Sequence, residues 1–196
     1  RRFVMKRPLS SIDARTSEGE TVRRALRVEA QSLTSFSHPN VANVIEFDAD
    51  AQPPFVVFEY LVGCSLHHYV DARPLTIEEA KPIVWDACQG LYAIHRAGMI
   101  HCDIKPENIY LQLDTGRIKE RFSFVPETDR DRYPVLSSVI IDFGTASAPW
   151  LTESVIAGTA HYAAPQQWTS GRGLAPLTAS CDMYAFASTV MEMLTG

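Results

Sequence analysis

The stretch that decides the fold is HCDIKPEN, residues 101–108, which is followed along the chain by DFG at residues 142–144. Within the first motif, Asp103, Lys105 and Asn108 lie close together in sequence. The proline between the last two permits a turn that lets the three side chains converge. A site that handles anions needs such a set, because a carboxylate orients a hydroxyl, a cation offsets developing negative charge and an amide oxygen holds a metal ion.

The second motif places a carboxylate at the end of a strand. Asp142 follows the apolar pair Ile140-Ile141 and precedes Phe143 and Gly144, and this glycine permits a sharp turn. Each short motif occurs by chance in unrelated sequences, but the two motifs in this order indicate one shared site.

Composition describes an ordinary globular chain. It has 196 residues, of which 46% are hydrophobic and 21% are charged, and this balance favours one domain, or two lobes of one fold, with a sizeable core. The net charge of -5 gives no electrostatic reason to expect a nucleic-acid or membrane partner. No apolar run approaches the roughly 20 residues that a membrane span needs. Because the chain opens without Met and stops at Gly196 directly after an apolar helix, we expect it to be part of a longer protein.

The cysteines lie far apart and form no CxxC pair, so neither a disulfide framework nor a zinc site is expected. Reduced thiols are the default, and they favour a cytoplasmic location. The residues concerned are Cys64, Cys88, Cys102 and Cys181.

Periodicity predicts an α+β chain. Strands are predicted at residues 2–6, 41–47, 55–60, 109–113 and 135–141. A long helix is predicted from Thr76 to Ala97, with Thr76 and Glu79 capping its start and Gly98 ending it. A second helix, from Asp182 to Leu194, is apolar nearly all round and is predicted to be buried. The polar segment at 114–134 is interpreted as a surface insertion, either a docking site or a solvated loop, and residues 145–178 as mostly loop.

An earlier helix carries a carboxylate inside its apolar face. Val22, Leu26, Glu29, Leu33 and Phe36 recur at helical spacing. A lone carboxylate is unfavourable to bury, so Glu29 either points into solvent or pairs with a cation. Lys6, on the preceding strand, is the natural candidate for that cation.

The pattern HxDxKPxN followed by DFG resembles the signature of the protein kinase family. The rest of the chain follows the family's order, so it resembles a eukaryotic-type Ser/Thr protein kinase catalytic domain from the C-helix to the F-helix. The resemblance implies a bilobal α+β fold that is incomplete here. Residues 1–61 correspond to part of the N-lobe, and residues 62–196 correspond to part of the C-lobe, with the insertion at about 114–134.

The resemblance implies an ATP site in the first part of the chain. Lys6 corresponds to the lysine that grips the α- and β-phosphates and pairs with the C-helix glutamate, Glu29. Phe58 corresponds to the residue before the hinge, and backbone groups of Glu59 and Leu61 would receive the adenine.

The catalytic residues that the resemblance implies lie in the two opening motifs. Asp103 would accept or orient the proton of the substrate hydroxyl, and Lys105 would neutralise charge on the γ-phosphate. Asn108 and Asp142 would hold Mg²⁺. Structural or regulatory roles are implied for His101, Phe143, Gly144, Leu33, Thr159 and Asp182. Among these, Phe143, His101 and Leu33 would stack as an apolar spine, and Asp182 would fix the backbone of the catalytic loop.

Two positions depart from the family pattern. Cys102 replaces the arginine that usually precedes the catalytic aspartate and binds a phosphate on the activation loop, and a neutral thiol cannot do this. We therefore expect activity without activation-loop phosphorylation, although Cys102 also fits the plain interpretation of a small buried residue. Gln166 replaces the glutamate of the APE motif, which normally forms a buried ion pair, so it keeps hydrogen bonding but no charge.

Lys105, together with Gly158-Thr159 ahead of Ala164-Pro165, is typical of the Ser/Thr-specific form. The expected function is transfer of the ATP γ-phosphate to a Ser/Thr hydroxyl of a protein substrate, although the isolated chain is expected to bind ATP weakly. Two alternatives remain open: a pseudokinase that acts as a scaffold, and a small-molecule phosphotransferase.

Overall fold

A computed structural model of the protein describes residues 2–7, 16, 19, 20, 23, 24, 27, 30, 33, 34, 37–114, 133–143, 159–168 and 177–196. The chain forms two compact units. The N-terminal unit comprises Arg1–His38 and Ala42–Tyr60, and the C-terminal unit comprises Pro39–Val41 and Leu61–Gly196.

The N-terminal unit contains a three-stranded antiparallel sheet. Its strands are β1 (Phe3–Lys6), β2 (Val44–Asp48) and β3 (Phe55–Glu59), in the order β1-β3-β2. The central strand is rich in β-branched and aromatic residues, which suit a pleated, half-buried surface. The three strands predicted for this part of the chain are therefore confirmed.

A helix accompanies this sheet. The described residues from Gly19 to Thr34 are helical, and Ala30 from this helix is fully buried against Val56 of β3. The hydroxyl oxygen of Thr16 accepts the backbone N–H of Gly19 at 3.1 Å and so caps the helix start. Leu33 is buried, whereas Val22, Leu26, Glu29 and Phe36 of the predicted apolar face lie outside the described residues.

The C-terminal unit contains a second antiparallel sheet, one strand of which directly follows the HCDIKPEN motif. Its strands are β4 (Gly63–Ser65), β5 (Ile109–Leu113) and β6 (Val135–Ile140), in the order β4-β5-β6. A 3-10 turn at Pro106–Asn108 precedes β5 directly, so Asn108 stands at the start of a buried strand. Both strands predicted here are confirmed.

Helix α1 (Leu66–Val70) follows β4, and helix α2 (Ile77–Arg96) comes next. The predicted cap of α2 is confirmed, because Thr76 and Glu79 form a reciprocal capping box. Its end is also as predicted. Gly98 has a φ of 75°, and the N–H groups of Gly98 and Met99 donate to His95 and Ile94 carbonyls, which is the Schellman arrangement. Helix α1 was not predicted.

Helix α2 packs against β6 and against helix α3 (Ala179–Thr195). The approach to the neighbouring backbone is close at Gly90, where an added Cβ would lie 2.6 Å from the carbonyl oxygen of Asn40. Only glycine fits such a contact without displacing backbone.

The prediction of a buried helix from Asp182 to Leu194 was correct for one side of α3 only. One side, which includes Asp182, Phe186 and Thr189, is buried, but Tyr184 is 48% exposed and Met191 is 62% exposed. Hydropathy predicted a helix correctly but carries no information about which apolar residues find a neighbour.

The insertion at 114–134 falls almost wholly outside the described residues, as do Gly144 and Gly158. Residues 159–168 are described, and the predicted loop there contains a 3-10 turn at Pro165–Trp168. The four cysteines are free thiols, buried except for Cys88. Within the described ranges, no helix has the length and apolar character required to cross a bilayer.

Candidate active site

Asp103 is the centre of a polar cluster in the C-terminal unit. Its Oδ2 lies 2.9 Å from Lys105 Nζ and accepts a hydrogen bond from Asn108 Nδ2 at 3.1 Å. Its Oδ1 accepts from both the backbone N–H and the hydroxyl of Thr159, at 2.8 and 2.9 Å. The structure therefore brings together Asp103, Lys105, Asn108 and Thr159, as the spacing of the motif predicts for the first three.

Lys105, Asp103 and Thr159 form a triangle in which each side chain contacts the other two. The Nζ of Lys105 also donates to Thr159 Oγ1 at 2.7 Å. The side chains of Lys105 and Asp103 are 20% and 12% exposed, so they are partly shielded yet open to a substrate. A cation and a carboxylate thus flank a hydroxyl, which is the arrangement that a phosphate acceptor needs.

The surroundings hold Asp103 in its ionised form. Burial acts to raise the pKa of Asp103, but hydrogen bonds from Lys105 and Thr159, together with the positive charge of Lys105, outweigh burial and lower the pKa overall. Asp103 is therefore a weak base that carries a full negative charge at neutral pH.

Asn108 presents an oxygen suited to a hard cation. The residue is 5% exposed, and its amide nitrogen is used as a donor to the carbonyl and carboxylate oxygens of Asp103. Its Oδ1 has no hydrogen bond to any residue in the described ranges. A buried amide oxygen without a described donor fits Mg²⁺, which prefers oxygen ligands and takes few of them from protein.

The backbone of the catalytic loop is fixed by a buried carboxylate on α3. Asp182, which is fully buried, accepts the N–H of His101 at 2.9 Å and the N–H of Cys102 at 2.8 Å. The same carboxylate lies 2.8 Å from Nε2 of His95 on α2. One side chain thus joins the loop to two helices.

Cys102 adopts an unusual backbone conformation. Its φ is 67°, in the left-handed region that residues with a Cβ rarely occupy. The side chain is buried at 2% exposure, and its Sγ contacts the carbonyl oxygen of Ile100 at 3.8 Å. The thiol therefore points into the protein and presents no positive charge where an arginine would.

His101 links the two opening motifs. Its Nε2 lies 3.1 Å from the carbonyl oxygen of Ile141, and its Nδ1 accepts the N–H of Asp103 at 3.3 Å. Burial lowers the pKa of His101, despite the nearby charge of Asp182, so the ring is neutral. With Nε2 as the protonated nitrogen, both hydrogen bonds form at once.

Phe143 packs on the ring of His101, with 4.7 Å between ring centroids. It is 1% exposed, whereas the preceding residue, Asp142, is exposed and has a φ of 62°. Aspartate tolerates this conformation better than most residues. The buried phenylalanine and the turn therefore direct Asp142 outward.

The remaining predicted ATP-site residues belong to the N-terminal unit or the segment after it. Lys6 ends β1 and is partly buried. Phe58 and Glu59 end β3, where the N–H of Glu59 donates to the carbonyl of Asn43 at 3.1 Å and its carboxylate accepts from the Asn43 side chain. Leu61 begins the longer of the two segments that make up the C-terminal unit. Glu29 lies outside the described residues.

Two residues around the catalytic loop were missed by sequence reasoning. Gln167 donates from Nε2 to the carbonyl of Cys102 at 2.8 Å, and His95 contacts Asp182. A polar residue within an apolar helical pattern, as His95 is, was an available signal. Gln167 directly follows Ala164-Pro165-Gln166, and nothing in the spacing of this segment indicates that its side chain is buried against the catalytic loop.

A family model described as a protein kinase domain matches residues 3–196. The chain belongs to the protein kinase family. Its α+β fold is that of this family, whose members use ATP as the phosphate donor, usually with Mg²⁺.

Curated relatives of this kinase domain come from several bacteria. It is 30% identical over 177 residues to serine/threonine-protein kinase Pkn1 of Myxococcus xanthus, covering 90% of this chain and 23% of the relative. It is 32% identical to serine/threonine-protein kinase PrkC of Bacillus subtilis over 92% of this chain and 24% of the relative. It is 33% identical to serine/threonine-protein kinase PknB of Mycobacterium leprae over 87% of this chain and 25% of the relative. The chain thus spans about a quarter of the length of these relatives.

Proposed function

We propose that the protein is a serine/threonine protein kinase that transfers the γ-phosphate of ATP to a Ser or Thr hydroxyl of a protein substrate. The observation that carries this proposal is the triangle of Asp103, Lys105 and Thr159. In it, the Thr159 hydroxyl donates to the carboxylate and accepts from the ammonium group. A substrate hydroxyl has the same hydrogen-bonding requirements. The names of the curated relatives support the same activity.

In the transfer step, the substrate hydroxyl oxygen forms a bond to the γ-phosphorus while the bond from that phosphorus to the bridging oxygen breaks, which releases ADP. Asp103 orients the hydroxyl and accepts its proton. Because its pKa is lowered, Asp103 accepts the proton late, once bond formation has made the hydroxyl acidic. Lys105 offsets the charge on the transferred phosphoryl oxygens.

Mg²⁺ would be held by Asn108 Oδ1 and the Asp142 carboxylate, with phosphate oxygens as further ligands. The ion supplies charge neutralisation on the phosphates when it is bound. His101 supports this arrangement by joining Ile141, next to Asp142, to Asp103.

ATP would be gripped by residues of the N-terminal unit, with Lys6 on the α- and β-phosphates and Glu29 as its ion-pair partner. The backbone N–H of Glu59 is engaged by Asn43. The carbonyl of Glu59 is therefore the group that would accept a hydrogen bond from adenine. Backbone groups of Leu61 would also bind the adenine, and Phe58 would lie beside it.

Activity would be independent of activation-loop phosphorylation. An arginine at position 102 would bind the loop phosphate, but Cys102 is buried and neutral. The backbone of Cys102 is instead held by the carboxylate of Asp182 and the amide of Gln167. These contacts support a catalytic loop that is ordered without a phosphate group.

A reducing, cytoplasmic location fits the four free thiols. The proposed partners are ATP and a protein substrate, with no nucleic acid.

The proposal is tested with the full-length protein, radiolabelled ATP and Mg²⁺. We expect label on Ser or Thr of protein substrates, and we expect Asp103→Asn to lower the rate of labelling about 10³-fold. ATP binding without transfer would indicate a pseudokinase. Label on sugars or antibiotics but not on peptides would indicate a small-molecule phosphotransferase. Either result would overturn the proposal.

A further inference from the structure

The oxygen and the nitrogen of the Gln167 side-chain amide both form hydrogen bonds within the protein. The residue is 2% exposed. Its Oε1 accepts the N–H of Ala164 at 2.8 Å, and its Nε2 donates to the carbonyl of Cys102 at 2.8 Å. One neutral side chain therefore joins the 3-10 turn at Pro165–Trp168 to the catalytic loop, one residue before Asp103.

This contact acts on the one strained residue of that loop. Cys102 has a φ of 67°, and such a conformation persists only when the surrounding groups determine it. Asp182 holds the N–H of Cys102, and Gln167 holds its carbonyl. The peptide groups on both sides of the strained residue are therefore fixed.

The carbonyl of Cys102 belongs to the peptide group that carries the N–H of Asp103. A rotation about the Cys102 backbone would therefore move the Asp103 carboxylate away from Thr159. Thr159 and Gln167 come from the same stretch of chain, residues 159–168, so this stretch touches the catalytic loop at two places. Neither contact needs a phosphate group.

We propose that Gln167 is a positioning residue for phosphoryl transfer, which holds Cys102 in its left-handed conformation and thereby orients Asp103. This inference rests on the proposed kinase function. Where an arginine precedes the catalytic aspartate, that arginine and a bound phosphate order the loop. In this protein the buried glutamine would order it.

The test uses the full-length protein and compares the wild type with Gln167→Met and Gln166→Met. The methionine keeps the length of the side chain but removes the hydrogen bonds to Ala164 and Cys102. The matched control changes the neighbouring glutamine, whose side-chain amide donates to Ser180 Oγ of helix α3 at 3.3 Å. We expect Gln167→Met to lower kcat about tenfold, equivalent to about 1.4 kcal/mol, with the KM for ATP unchanged. The control should keep kcat within about twofold of the wild type.

A second variant separates positioning from packing. Gln167→Glu can still accept the N–H of Ala164, but it donates to the Cys102 carbonyl only when its carboxyl group is protonated. We measure kcat of both variants at each pH and divide the Glu value by the Met value. Groups that titrate in both variants change the two kcat values alike, so their effect cancels in this ratio. We expect this ratio to rise by about fivefold or more between pH 8 and pH 6, because burial raises the pKa of a carboxyl group. If the Met variant does not fold, the Glu variant is compared with the wild type.

A Gln167→Met protein with wild-type kcat would overturn the inference, as would an equal loss in the Gln166→Met control or a ratio that does not change with pH. These outcomes presuppose an active wild type. An inactive wild type would instead count against the proposed function, so the two failures are distinguishable.

Discussion

Lys105 Nζ lies 2.9 Å from Asp103 Oδ2, and the hydroxyl of Thr159 bridges the same two side chains on their other side. The ammonium group of Lys105 keeps the Asp103 carboxylate ionised, and the same ammonium group remains available to a phosphate. The bridging hydroxyl fixes the separation of the two charged groups.

The hydroxyl of Thr159 is expected to contribute to catalysis. Thr159→Val keeps the shape of the side chain but removes one of the donors to Asp103 Oδ1 and one of the acceptors for Lys105. We expect kcat to fall about tenfold, the usual effect of one buried hydrogen bond to a charged group. Thr159→Ser retains the hydroxyl and should stay within about threefold of the wild type. Equal kcat values for Val and Ser would contradict the assignment.

The carboxylate of Asp182 is expected to be essential for stability. Asp182→Asn replaces one acceptor oxygen with a donor group, although the N–H groups of His101 and Cys102 both require acceptors. We expect the free energy of unfolding to fall by about 3 kcal/mol, because buried polar groups lose their partners. The measurement is urea unfolding of wild type and variant. The exposed Asp71→Asn serves as the control and should change the free energy by no more than about 0.5 kcal/mol.

His101 should make stability depend on pH. Burial lowers its pKa in the folded protein, whereas the unfolded chain binds a proton below the ordinary pKa of about 6.5. The unfolded state therefore binds more protons as the pH falls below that value. The free energy of unfolding should decrease there by up to about 1.4 kcal/mol per pH unit from this residue.

Unfolding measurements between pH 7.5 and pH 5, in steps of about half a unit, would check this. His101→Phe should be less stable but should lose this part of the slope. The exposed His67→Gln should keep the wild-type slope. A slope that is unchanged in His101→Phe would show that other groups are responsible.

Phosphatase treatment of the full-length protein should leave its kinase activity within about twofold of the untreated value. The physical reason is that Cys102 is buried and uncharged and cannot bind a phosphate. Mass spectrometry would establish that phosphate has been removed from the segment between Asp142 and Gln166. Loss of activity with loss of that phosphate would contradict the proposal.

Much of this site was predictable because its residues are close in sequence. Asp103, Lys105 and Asn108 need only one turn to converge, and the 3-10 turn at Pro106–Asn108 provides it. The cap of α2 was also predictable, because Thr76 and Glu79 interact across a single helical turn.

The rest depends on contacts between distant parts of the chain. The bond from Gln167 to Cys102 has no sequence signature, since any buried donor could serve the same carbonyl. The left-handed conformation of Cys102 was likewise unpredictable, because cysteine has no preference for it. Helix α1 was missed because it is short and carries two adjacent polar histidines, His67 and His68, so periodicity gives little signal.

The most direct test of the proposed activity is transfer of labelled γ-phosphate from ATP to a peptide array by the full-length wild type and by Asp103→Asn. The substitution keeps the shape of the side chain but removes the charge that holds Lys105 and accepts the proton. We predict phosphoserine or phosphothreonine with the wild type and a rate about 10³-fold lower with the variant, because general-base contributions are of this size. A wild type that binds ATP without transfer, or a variant with the wild-type rate, would contradict the account.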